Sequence, residues 1–165
     1  GANGTTDCNH LNDTCRSYDL STPLCGVYTI GRSNPDFVNF TQAAVALNNA
    51  GVACPVVFMV RDGIYSEQVI LYDIPGTTAI NTVRFEGESA DSTLAKIVYD
   101  TPNTTNDFAF ALRGTKHLTF KHLGIERPYY YYANNYYYSI VISDYCENIT
   151  ITNCYSNKIS KLYSK

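Results

Sequence analysis

The sequence predicts an all-β protein, a right-handed parallel β-helix (a solenoid) that a short helix closes at its N-terminal end. Three observations predict this fold. Short apolar or alternating segments are separated by turn-forming residues throughout the chain. A strand, a polar corner and a second strand recur after roughly 30 residues with no helix between the copies. The one clear helical pattern comes before the main run of strands, where it would cover the open end of a solenoid core.

The first segment, residues 1–24, is rich in Asn, Thr, Asp and Ser and shows no periodicity. We expect an irregular N-terminal arm that contains Cys8 and Cys15, followed by a β-helix domain over 25–165. Because 1–24 lacks a charged segment followed by an apolar one, we expect any export signal to have been removed.

A cap helix is predicted over 36–50. Its apolar residues fall at i, i+3, i+4 and i+7: Phe40, Ala43, Ala44 and Leu47. Asn39 or Thr41 is suited to cap its start, and Gly51 stands where a helix ends.

Strands are predicted at 26–31, 56–60, 68–72, 82–86, 95–99, 108–112, 118–123, 139–142 and 149–152. The repeat joins 110–123 to 140–154, which would place Leu118 and Phe120 above Ile149 and Ile151 in the core. Evenly spaced short strands also suit a β-sandwich, so that fold stays an alternative. No capping helix follows the last strand, so we expect either a longer β-helix or an end that docks on another molecule.

A family resemblance rests on Tyr28-Thr-Ile-Gly, Asp36-Phe, Gln42-Ala-Ala-Val and Gly63-Ile-Tyr-Ser-Glu-Gln-Val. Over roughly residues 26–125 the chain resembles the N-terminal entry of pectin-lyase-like right-handed β-helices, as in pectin methylesterases and Bacteroidetes-type surface β-helix proteins. The resemblance implies the cap and first coils. It implies no catalytic residue, because the aspartate and arginine motifs of the esterases are not found here.

Composition limits the class of protein. The formal net charge is −3 with both signs scattered, so we expect no nucleic-acid partner. No apolar run is long enough for a membrane span. Few charged residues and six cysteines favour an extracellular or cell-surface protein with disulfides.

The positions of the cysteines make some disulfide pairings more favourable than others. Cys25 and Cys54 each precede a predicted strand, so parallel neighbouring strands would bring them side by side. Cys8 and Cys15 could close a small loop. Cys146 and Cys154, joined by a straight strand, would lie roughly 26 Å apart at about 3.3 Å per residue, too far to bond without a bend. No Cys-x-x-Cys spacing occurs, so we expect no metal.

Catalytic patterns are weak, and we expect no cofactor. Asp144 and Glu147 could form a glycosidase-type carboxylate pair but are better explained as solvated corner residues. Arg84, Glu86 and Glu88 alternate along one strand and predict an ion pair on its solvent face. On a strand, His117 and His122 would lie on opposite faces and could not share a metal.

The tyrosine-rich stretch is the main candidate contact site. Seven tyrosines lie within ten residues: Tyr129, Tyr130, Tyr131, Tyr132, Tyr136, Tyr137 and Tyr138. Alternation buries only every other residue of a strand, so several rings should be available to a protein or a glycan. Packing of this segment against its own coil is the alternative.

Asn-x-Thr sequons make Asn103, Asn148 and Asn12 the candidate glycosylation sites. A further sequon, at Asn39, lies at the predicted helix start.

The sequence therefore predicts a secreted or cell-surface structural or adhesive β-solenoid. We expect a subunit of an extracellular assembly or filament that contacts itself or another extracellular protein. The alternatives are the N-terminal part of a carbohydrate-active β-helix, an esterase or lyase, and a glycan-binding module without turnover.

Overall fold

The computed structural model describes residues 22–101, 107–128, 138–157 and 159–161, and shows a parallel β-helix. Every strand pairing is parallel, which excludes the β-sandwich alternative because sandwiches are built from antiparallel sheets. The predicted solenoid with a short N-terminal helix is confirmed.

The elements alternate short strands with corners after a single helix. In chain order they are β1 (Leu24–Ile30), α1 (Phe40–Ala50), β2 (Val52–Val60), β3 (Gly63–Tyr65), β4 (Val69–Leu71), β5 (Val83–Gly87), β6 (Ala95–Val98), β7 (Phe108–Arg113), β8 (Lys116–Lys121), β9 (Gly124–Glu126), β10 (Tyr138–Ser143), β11 (Glu147–Thr152), β12 (Tyr155–Ser156) and β13 (Ile159–Lys161).

The strands form three sheets, which we call faces 1, 2 and 3. Face 1 has the order β1-β2-β5-β8-β11, face 2 β3-β6-β9-β12 and face 3 β4-β7-β10-β13. Each coil therefore takes one strand from each face in turn. Coil 1 is β2 to β4, coil 2 is β5 to β7, coil 3 is β8 to β10 and coil 4 is β11 to β13. Strand β1 lies above coil 1 on face 1 alone.

The core is a stack of aromatic and aliphatic side chains in register. On face 1, Phe58, Phe85 and Phe120 are fully buried, with ring centroids 4.7 Å and 5.8 Å apart in successive pairs. The predicted repeat is confirmed, because Leu118 pairs with Ile149 and Phe120 with Ile151 across β8 and β11. Stacking like residues one coil above another keeps the packing constant along the solenoid.

The cap helix covers the N-terminal end of this core. Asn39 accepts a hydrogen bond from the Gln42 N–H at 2.9 Å, and Gly51 ends the helix with φ 70°, so both predicted caps are confirmed. Helix α1 is shorter than the predicted 36–50, since Asp36 and Phe37 bond to β1 instead. In the described residues, no helix has the length and apolar character needed to cross a membrane.

Four strands escaped the sequence prediction: β3, β9, β12 and β13. Each spans only two or three residues, which is too short for alternation to show. Strand β3 lies at the start of the Gly63 motif on which the family resemblance partly rests.

A disulfide joins Cys25 to Cys54, as the predicted strand register requires. It links β1 to β2 across a sequence separation of 29 residues that encloses the whole cap helix. Cross-linking a loop of this size restricts the unfolded chain and stabilises the fold by about 3–4 kcal/mol in the chain-entropy model.

We therefore expect the Cys25→Ser/Cys54→Ser variant to lose about 3–4 kcal/mol of unfolding free energy. Urea unfolding of oxidised protein against this variant measures the loss. Peptide mapping without reductant should recover Cys25 joined to Cys54. An unchanged unfolding midpoint, or free thiols at both positions in native protein, would contradict the assignment.

Candidate functional site

The corner between faces 2 and 3 differs in length from coil to coil. In coils 1 and 4 this corner is short, with residues 66–68 and 157–158 between the strands. In coil 2 it comprises residues 99–107, and in coil 3 residues 127–137. The two long connections are on neighbouring coils at the same corner. The second contains six of the seven candidate tyrosines.

Arg127 is buried at the base of this corner. Its side chain is fully inaccessible, and it is the largest fully buried side chain in the described part of the chain. The guanidinium Nε bonds to the carboxylate of Asp107, while its two terminal nitrogens donate to the carbonyls of Tyr99 at 2.9 Å and Thr101 at 3.0 Å. The guanidinium carbon lies 5.1 Å from the centre of the Tyr99 ring, a cation–π contact.

These bonds join the ends of both long connections. Tyr99, Thr101 and Asp107 belong to the coil 2 connection, and Arg127 begins the coil 3 connection. The other end of the coil 3 connection is bonded to Asp107, because the Tyr138 N–H donates to the Asp107 backbone carbonyl at 2.9 Å. The four ends are therefore joined by the buried ion pair and the hydrogen bonds around it. We call Arg127 and Asp107, with their bonds to Tyr99, Thr101 and Tyr138, the Arg127 clamp.

A buried ion pair is an expensive way to hold a corner. Removing two charges from water costs several kcal/mol per ion, which the pair's mutual attraction and further hydrogen bonds must offset. Replacement of such a pair by apolar residues is often neutral or stabilising. The clamp is therefore better explained by the positions it fixes than by the stability it adds.

The sequence analysis missed Arg127 and Asp107. Both adjoin short apolar strands, Asp107 just before β7 and Arg127 just after β9. A charged residue next to a strand usually faces water, so the sequence alone predicts solvent-exposed side chains at both positions. The only signal was their position, within two of the longer connections between predicted strands.

The candidate tyrosines can be placed only in part. Tyr138 is half-buried as the first residue of β10 and pairs with Phe108 of β7. The other candidates lie outside the described residues, and so do Asn12, Asn103, Cys8 and Cys15.

Asn148 and Asn39, the sequon asparagines within the described part of the chain, have different environments. Asn148 is exposed on β11 with φ 54°, and its Nδ2 lies 3.4 Å from His117 Nδ1 of the coil above. Asn39 is the helix N-cap, and Thr41 of the same sequon donates its hydroxyl to Glu67 at 2.6 Å.

The charged residues of face 1 include the predicted ion pair, which Arg84 forms with Glu86, and Lys121 adds a second one. The Arg84 and Lys121 nitrogens lie 3.0 Å and 2.8 Å from the two carboxylate oxygens of Glu86. The hydrogen bond from Lys121 lowers the pKa of the Glu86 carboxyl, with a further contribution from Arg84. Arg84 and Lys121 share the one carboxylate of Glu86, so this cluster is a surface ion-pair network.

The remaining polar candidates are two carboxylates and two histidines of coils 3 and 4. Asp144 and Glu147 are exposed at a corner, where the Ser143 hydroxyl bonds to Asp144 at 3.0 Å. His117 and His122 both have left-handed backbone, so strand alternation does not govern where their rings point. Each ring contacts an asparagine of coil 4. No three metal-binding side chains cluster within the described ranges.

Glu67 completes the cap. Its carboxylate accepts from the backbone N–H groups of Phe40 at 3.0 Å and Thr41 at 2.8 Å. These are amides of the first helical turn that have no partner inside the helix, and the helix dipole favours a negative charge there. The Gly63–Glu67 motif therefore builds the cap.

The last two cysteines, Cys146 and Cys154, are free and half-buried against the core. Burial raises the pKa of both thiols, so both favour the unreactive protonated form.

Comparison of the chain with known protein families, with curated proteins and with solved structures returned no match.

Proposed function

We propose that the chain is a secreted or cell-surface structural and adhesive module, which uses the corner between faces 2 and 3 to contact other protein chains. The observation that carries this proposal is the Arg127 clamp. It holds the ends of two long connections on adjacent coils with a buried ion pair, at a corner that is short in the other two coils.

The side chains on these connections suit protein contact. Tyrosine offers a large apolar ring with a polar tip and loses little conformational entropy when it is ordered. Six of the seven tyrosines between Tyr129 and Tyr138 belong to the coil 3 connection. Fixing the ends of the connections favours binding, because less conformational entropy is then lost when the partner binds.

The Cys25–Cys54 bond supports the proposed location. Disulfides persist in oxidising compartments and are rare in the cytosol. The proposed partner is a second copy of the chain, and a contact between unlike surfaces would extend the assembly into a filament. Membership of the pectin-lyase-like superfamily, which the sequence resemblance implies, is part of this proposal. Within that superfamily, the surface β-helix proteins fit a contact role better than the esterases do.

We expect the intact chain to associate reversibly as concentration rises, and a variant with Tyr129, Tyr130, Tyr131 and Tyr132 changed to Ser to associate at least about tenfold more weakly. Sedimentation velocity over a concentration series measures both. The matched control changes Tyr72 and Tyr145, exposed tyrosines at the corner between faces 3 and 1, to Ser. This control should associate like the intact chain.

Two results would contradict the proposal: an intact chain that stays monomeric at high concentration, or equal weakening by the control variant. If the chain is monomeric but binds polysaccharide through these tyrosines, the glycan-binding alternative replaces it.

A further inference from the structure

The N-terminal end of the solenoid is closed differently on each face. Face 1 has the extra strand β1, which lies above coil 1. Among the described strands, faces 2 and 3 begin with coil 1 itself, so β3 and β4 are the edge strands there. An edge strand presents backbone N–H and C=O groups that no strand pairs, and folded proteins usually cover them.

The edge of β4 is covered by the cap helix. Asn48 of α1 donates from its amide nitrogen to the Ile70 carbonyl at 3.0 Å and accepts from the Tyr72 N–H at 3.0 Å. One side-chain amide thus takes the place of a neighbouring strand.

The edge of β3 has no such cover in the described part of the chain. The Gly63 N–H donates to Leu94 at 2.9 Å, toward β6 of the next coil. Successive residues of a parallel strand direct their backbone groups to opposite sides, so the N–H and C=O of Ile64 point away from β6. Within the described residues, neither group of Ile64 has a hydrogen-bond partner.

A groove opens beside Ile64. It measures about 260 Å³ and is lined by residues 62–67 on one side and by Arg32, Val38 and Asn39 on the other. At about 30 Å³ per water molecule it is large enough to hold a short length of extended chain. Val38 and Ile64 are 60% and 68% exposed, so the groove has an aliphatic lining open to solvent.

Among the described charged side chains around the groove, the Arg32 guanidinium is the one with neither an ion pair nor a hydrogen bond. Glu67 is bonded to the helix amides, and Asp62 accepts from the Ser89 hydroxyl at 2.7 Å and 2.6 Å. The Arg61 guanidinium donates to the carbonyls of Arg32 and Ser33. The Arg32 guanidinium makes no ion pair with any described residue.

We propose that this groove binds an extended acidic segment of a partner protein by strand addition to β3. The partner backbone would exchange hydrogen bonds with the N–H and C=O of Ile64, as in peptide recognition by sheet edges. An aliphatic side chain of the partner would lie between Val38 and Ile64, and a carboxylate would face Arg32. The proposal is independent of the Arg127 clamp and the tyrosines, since it uses the N-terminal edge of coil 1 and different residues, whereas the two long connections belong to coils 2 and 3.

The test uses the intact, oxidised chain labelled with ¹⁵N and the blocked hexapeptide Ac-Thr-Val-Asp-Val-Thr-Val-NH2. We expect the Ile64 amide signal to shift on titration, with a Kd on the order of 0.1–1 mM. Replacing the peptide's Asp with Lys, or methylating the backbone nitrogen of its central residues, should weaken binding about fivefold or more, because each change removes one proposed contact.

Two variants locate the site. Ile64→Pro removes only an outward-facing N–H, which an edge strand tolerates, and should weaken binding about fivefold or more. Arg32→Gln should abolish the preference for Asp over Lys. Ile80→Ser, at an aliphatic residue that is 79% exposed outside the groove, should change neither.

Three outcomes would overturn the proposal. The first is an Ile64 signal that does not move at millimolar peptide, and the second is equal binding by all three variants. The third is protection of the Ile64 amide from hydrogen exchange in the peptide-free chain. Protection at every protein concentration would mean that the chain's own segment covers the edge, and protection only at high concentration would mean that a second copy does.

Discussion

Leu47→Asp should unfold the N-terminal coils. Leu47 is fully buried on the face of α1 that covers the core. Loss of a buried leucine costs about 2–5 kcal/mol, and burial of a carboxylate adds to this cost. Because the whole domain is stabilised by about 5–15 kcal/mol, the substitution should remove most of that stability. Circular dichroism melting and hydrogen exchange of β1, β2 and β4 measure the effect.

Val45→Asp is the matched control, since it puts the same charge on the same helix at a residue that is 44% exposed. A surface substitution of this kind usually changes stability by less than about 0.5 kcal/mol. If the two variants melt at the same temperature, α1 does not seal the core.

Much of the fold could be predicted because the solenoid repeats. Each inward residue is stacked on its equivalent in the next coil. The sequence therefore shows an apolar residue at the same position of three successive coils, as Phe85, Phe120 and Ile151 do. The cap was predictable because α1 combines a clear apolar stripe with recognisable caps at Asn39 and Gly51. The shortest strands were not predictable, since β3, β9, β12 and β13 are defined by their neighbours in adjacent coils rather than by their own pattern.

The candidate site was predictable only in part. The tyrosines are visible in composition, but the clamp depends on Arg127 meeting Asp107, twenty positions earlier in the sequence, and two carbonyls of the coil 2 connection. No local pattern predicts that contact, because it arises only when coils 2 and 3 are stacked. Glu67 illustrates the same limit. Its motif was visible, but its bonds to the helix amides follow from the tertiary fold.

Arg127→Ala should cost about 3–5 kcal/mol of unfolding free energy, because it leaves the Asp107 carboxylate buried without its partner. The double variant Arg127→Met/Asp107→Leu should lose less than the single one, since no charge is then stranded. Urea unfolding measures both. Lys96→Ala is the control in coil 2: its ion pair with Glu126, at 3.0 Å, is partly exposed and should contribute no more than about 1 kcal/mol.

Arg127→Lys separates the clamp's positional role from its contribution to stability. Lysine retains the charge beside Asp107 but lacks the planar fork that reaches the Tyr99 and Thr101 carbonyls. We expect this variant to remain folded and to associate more weakly than the intact chain, because the ends of the two connections are no longer held together. If Arg127→Lys matches the intact chain in both unfolding and sedimentation, the clamp does not position the tyrosine-bearing corner. The contact surface must then lie elsewhere on the solenoid.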